Sequence, residues 1–179
     1  MIVWFRHLPQ ISMESAKWTP FIKNNLFRAH FMKFVYLLQI TIFLLSLFFD
    51  VWASSIHAFA LISIGIFVFI IHECLHILVI YKKGDMSLTF SGIFFWLQTN
   101  AVLSKVRFWI FMSLPLIALS VVPAIVSFYV SGDIKSILIF VSWLNLLISS
   151  ADIINSFLIA IKPKHSVFCR GYYRVEKNS

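Results

Sequence analysis

Apolar residues fill four long blocks of the chain, about Phe34 to Ala53, His57 to Tyr81, Phe108 to Val130 and Ser136 to Ile161, with basic or polar stretches between them. A helix rising 1.5 Å per residue needs about 20 such residues to cross a bilayer core, and each block is of that order. The pattern predicts an all-α membrane protein with about four transmembrane helices. Between the second and third blocks the pattern changes. Met86 to Ser104 carries no charge, yet Ser87, Thr89, Ser91, Gly92, Gln98, Thr99 and Asn100 make it polar for a lipid-facing helix. Ser87-Leu88-Thr89-Phe90-Ser91 alternates with period two, as a strand or hairpin does. A re-entrant or short β segment is therefore expected after the second span, in place of a fifth helix, and its strand at residues 86–92 is an edge on which an extended peptide could pair.

Composition agrees with a membrane setting. The chain is 60% hydrophobic and only 12% charged, against about 25% charged for soluble domains. With 179 residues there is room for one helical bundle, which divides the chain into an N-terminal arm (1–33), a membrane domain (34–161) and a C-terminal tail (162–179). Of the 15 Lys and Arg, all but Lys135 fall before the first block, between the second and third, or after the fourth. By the positive-inside rule both termini lie on the cytoplasmic side of the membrane. The net charge of +8 is thus accounted for by topology and contact with anionic lipid of the bilayer, and no nucleic-acid-binding module accompanies it. The arm has charges throughout, and Pro9 and Pro20, so it lacks the apolar core of a cleaved signal peptide. From Phe21 to Phe34 it fits either an interfacial helix or an ordinary basic tail. Cys74 and Cys169 are badly placed for a disulfide.

The second block contains His72-Glu73-Cys74-Leu75-His76, an H-E-x-x-H run. On a helix His72 and His76 share a face, as two zinc ligands must, while Glu73 lies about 100° round, where it can act as base toward a water at the metal. Ionisable groups at this depth cost about 2.5 to 3.5 kcal/mol on insertion scales and call for partners. A catalytic zinc takes three protein ligands, and the fourth block offers Asp152, the only charged residue between Lys135 and Lys162. Asp152 lies ten residues before Lys162, as His72 lies ten before Lys82. On straight helices both are about 15 Å from the basic boundary. Asn145, two turns before Asp152, could hydrogen-bond a substrate or an oxyanion, or equally make a helix-to-helix contact. Ser149 and Ser150 read as small interface residues, Pro115 and Pro123 as helix kinks, and His30, His57, Asp133 and His165 as lying away from this layer.

Taken together, these residues resemble the site-2 protease class of intramembrane zinc metalloproteases, and more closely a small bacterial family of zincin membrane peptidases. The resemblance runs from the second block to the C-terminus and rests on the H-E-x-x-H run, the polar segment after it, and Asn145 with Ser149-Ser150-Ala151-Asp152-Ile153. It implies Zn²⁺ held by His72, His76 and Asp152, with Glu73 as general base and Asn145 positioning the substrate, a membrane peptide or protein. The better-known members have glycine and usually proline where Ile153 and Leu146 stand here, and the chain has no PDZ domain.

Rival chemistries fit less well. A di-iron oxidase needs a second Glu-x-x-His pair, and a haem carrier needs axial His from two facing helices at one depth. The remaining alternative is a non-catalytic zinc-binding scaffold or ion-handling protein.

Overall fold

The computed structural model of the chain describes residues 2–4, 18–48, 51, 56–91 and 94–176. In chain order the elements are β1 (Ile2–Trp4), β2 (Thr19–Pro20), α1 (Asn25–Ala29), α2 (Phe31–Ser46), α3 (Ala58–Ile80), β3 (Met86–Ser91), β4 (Phe94–Thr99), β5 (Leu103–Ser104), α4 (Lys105–Leu116), a π-helical turn (Ile117–Val121), α5 (Val122–Ser127), α6 (Gly132–Ile148), α7 (Ser150–Ala160), β6 (Ser166–Cys169) and β7 (Tyr172–Val175). The protein is mostly helical. Among the described residues, two segments are long and apolar enough to cross a membrane: α3, and the 23 residues Lys105–Ser127 formed by α4, the π turn and α5. A third candidate, α6 with α7, is bent by 64°.

Against about four expected spans, the described residues thus show two helices of spanning length, or three if the bent pair is one span. The helix in the first apolar block, α2, has 16 residues, and residues 49–50 and 52–55 lie outside the described part. The fourth block breaks at Ser149, whose N–H still bonds the Asn145 carbonyl at 2.8 Å. Small, fully buried Ser149 and Ser150 let the two halves turn sharply there.

The buried residues of α3 are Val68, His72, His76 and Ile80, a single stripe at four-residue spacing. Away from it Phe59, Ile62, Ile66, Phe67 and Leu78 are exposed. That stripe packs against α4 and α6. Gly65 allows the approach, since a Cβ there would stand 3.2 Å from the Leu144 side chain. Gln39 on α2 donates to the Leu147 carbonyl at 3.2 Å and holds α2 to α6.

The β segment expected after the second span is present, and among the described residues it belongs to one of two small sheets. β3 and β4 form the antiparallel hairpin read from the period-two segment, with Met86 opposite Thr99 and Ser91 opposite Phe94. β1 adds in parallel to the other side of β3. With partners on both sides, β3 is not the edge expected at residues 86–92; among the described residues the edges of this sheet are β1 and β4. The second sheet has the order β2-β7-β6-β5 and uses residues expected to form a tail. Its hairpin turns at Arg170 and Gly171, with φ of 45° and 77°, the positive pair that a two-residue type I′ turn requires. Phe21, Ile159, Phe168 and Tyr173 pack beneath it. The Lys162 ammonium donates to the Phe21 carbonyl at 2.7 Å and lies 4.5 Å from the Tyr173 ring centre. Burial pulls its pKa below the usual lysine range, against the influence of Tyr173.

Candidate metal centre

Two helices bring the donors together. α3 supplies His72 and His76 from its buried stripe, 3% and 5% exposed. α7 supplies Asp152 from its first turn, where the positive end of the helix dipole favours a carboxylate. Asp152 Oδ2 lies 3.2 Å from His72 Nε2 and 3.4 Å from His76 Nε2. The two Nε2 atoms are 3.1 Å apart. Among the described residues this is the one group of three or more His, Cys, Asp or Glu side chains whose donor atoms converge.

The hydrogen bonds behind the rings fix which nitrogens face inward. His76 Nδ1 is 2.7 Å from the Phe111 carbonyl. A carbonyl only accepts, so Nδ1 carries a proton, and in the neutral ring Nε2 then presents its lone pair. Asn145 Nδ2 donates to the Pro115 carbonyl at 3.0 Å and to Ser120 Oγ at 2.8 Å. Its Oδ1 is thereby left to accept from His72 Nδ1 at 2.9 Å, so His72 is the same tautomer.

With both rings neutral, two Nε2 lone pairs and a carboxylate oxygen face one another. Ligands held about 2.0 to 2.2 Å from a tetrahedral zinc stand about 3.3 to 3.6 Å apart. The observed 3.1, 3.2 and 3.4 Å match that triangle within a few tenths of an ångström. The donor set and its protonation suit zinc, and each His has the outer hydrogen-bond partner that metal-bound imidazoles carry.

A family model described as "Putative zincin peptidase" matches residues 65–167, more than half of the chain. The chain belongs to that family. The matched stretch holds all three converging donors, Glu73 and Asn145. No curated protein and no solved structure matches the chain.

The remaining residues of this zincin-family site have distinct surroundings. Glu73 is half-buried and stands outside the triangle of donors, within electrostatic reach of His76, His72 and Asp152. Asn145 is fully buried, and in this geometry its carbonyl and both amide hydrogens are engaged within the protein, by His72, Pro115 and Ser120. Cys74 is exposed and Cys169 buried, both as free thiols. Sequence reasoning missed Phe111, Pro115 and Ser120 as neighbours of the site. The one local signal was a proline within an apolar helix, read as a kink.

Proposed function

We propose that the chain is a zinc-dependent intramembrane peptidase, similar to site-2 proteases, that hydrolyses peptide bonds of a membrane-associated or membrane-spanning substrate at a site open to the cytoplasm. The observation that carries this reading is the triangle of His72, His76 and Asp152 donors at zinc-ligand spacing, behind an H-E-x-x-H run in a zincin-family chain. A bound zinc would supply Lewis-acid polarisation of the scissile carbonyl and lower the pKa of water at the site. Glu73 accepts a proton from the attacking water and passes it to the amine released when the C–N bond breaks. Asp152 keeps 14% of its side chain accessible.

The membrane setting draws support from two features. α3 is apolar along its length and exposes large apolar side chains outside its one buried stripe, as a lipid-facing helix does. Strand pairing supports the sidedness independently of charge. β1 joins the hairpin after α3, and β2 joins the strands after α7, so the N-terminal segment, residues 82–104 and the C-terminal segment gather at one end. Nearly all Lys and Arg lie in those segments, on the side we assign to the cytoplasm.

The test is purified full-length protein with a membrane-spanning peptide. About one zinc per chain should copurify, and cleavage should stop with chelator and return with zinc. Cleavage indifferent to chelator, or protein that takes up no zinc, overturns the reading.

A further inference from the structure

A proline in mid-helix is costly because it has no N–H for the carbonyl four residues earlier and its ring pushes that carbonyl aside. Pro115 is buried in α4, and the carbonyl it deprives is that of Phe111. That is the carbonyl which accepts from His76 Nδ1 at 2.7 Å. The next turn is irregular as well. Val122 N–H bonds the Ile117 carbonyl, a five-residue step that widens the helix into a π turn, a feature that recurs at functional sites. Ser120 lies in that turn, 3% exposed, and its Oγ accepts from Asn145 Nδ2 at 2.8 Å while its carbonyl accepts from Ser142 Oγ at 2.8 Å. The Pro115 carbonyl takes the second Asn145 hydrogen at 3.0 Å. Two consecutive departures from α-helical bonding therefore each serve one histidine.

We infer that Pro115 and the π turn at Ile117–Val121 are positioning elements for the metal site: Pro115 releases the Phe111 carbonyl to hold His76 with Nε2 inward, and Ser120 orients Asn145 to do the same for His72. This rests on the zinc reading for its purpose, but the tautomers it requires belong to the protein without metal. A regular helix here would satisfy its own carbonyls and leave His76 Nδ1 to compete for a partner. The imidazole could then turn its proton toward Asp152, and metal would have to displace it.

The experiment uses the full chain in detergent, stripped of metal, with ¹⁵N-labelled histidine, followed by zinc titration against a competing chelator. His72 and His76 should both show the Nδ1–H tautomer in the stripped wild type. Pro115→Ala returns an N–H to the helix. It should shift His76 toward Nε2–H and weaken zinc binding about tenfold or more, while the stripped protein unfolds at the same temperature or higher because a helical bond has been gained. Ser120→Ala leaves the backbone intact and should weaken zinc binding by a smaller factor, with the change confined to His72. A merely structural proline predicts the reverse, lower stability with unchanged tautomer and affinity. An Nε2–H tautomer at His76 in the wild type, or unaltered tautomers and affinity in both variants, overturns the inference. Wild-type protein with the expected tautomers that takes up no zinc sinks the zinc reading alone.

Discussion

The metal-ligand layer and the four-stranded sheet at the basic end are stabilised in opposite ways. In the first, each histidine has its own specific polar partners: Asn145 Oδ1 serves His72, the Phe111 carbonyl serves His76, and Asp152 Oδ2 faces both rings. In the second, contacts overlap. The Phe168 ring meets Phe21, Phe108 and Tyr173, and Lys162 lies over both Phe21 and Tyr173. Apolar packing of this kind is worth about 1.5 to 3 kcal/mol per buried side chain and has no single indispensable atom. A buried polar group that loses its partner has no substitute. Changes in the first region should therefore alter chemistry with little effect on the fold, and changes in the second should do the reverse.

The largest expected effect is that of Glu73→Gln, which keeps the side chain's size and removes the base. Turnover of a membrane peptide should fall by about 10²- to 10⁴-fold with zinc content unchanged. Full cleavage by zinc-loaded Glu73→Gln would remove Glu73 from the mechanism. Next comes Asp152→Ala. One ligand in three of a site worth about 10 kcal/mol or more corresponds to a loss on the order of 10²- to 10³-fold in zinc affinity, read by competition with a chelator. Affinity within fivefold of wild type would mean that the carboxylate is an ion-pair partner of the histidines and not a ligand. Asn145→Leu leaves His72 Nδ1 without its acceptor and should weaken zinc binding about 10- to 100-fold. Retained affinity with lost cleavage would instead return Asn145 to a substrate-facing role. The smallest effect belongs to the other region. Gly171 has a φ of 77°, so Gly171→Ala should cost about 1 kcal/mol in thermal or denaturant unfolding while zinc affinity stays within twofold. A drop in zinc affinity there would show that the two regions are coupled and break the contrast.

What could be read from sequence follows the same division. His72, Glu73, His76 and Asp152 stood out because charge within an apolar block has few ways to be paired. The depth argument for Asp152 assumed a straight helix. It still leads to the right neighbourhood because the stretch from Asp152 to Lys162 lies on the far side of the break at Ser149. The β3–β4 hairpin was legible because strict alternation is a local signal. The β6–β7 hairpin was not: Arg170 and Arg174 made 166–175 look like a basic tail, and its sheet depends on pairing with Thr19 and Leu103 far along the chain. Asn145 was visible as a buried amide, but its three partners come from two other helices, which no pattern within α6 encodes.

The pairing of Thr19 with Tyr173 and of Ile2 with Met86 also bears on the order in which the protein matures. A chain made from its N-terminus forward carries both histidines well before Asp152 exists, and β2 waits for almost the whole sequence before it meets β7. Such distant pairings close late in folding. An unfinished chain therefore has two histidines without the carboxylate that faces them, and the three donors converge only once α7 has been made.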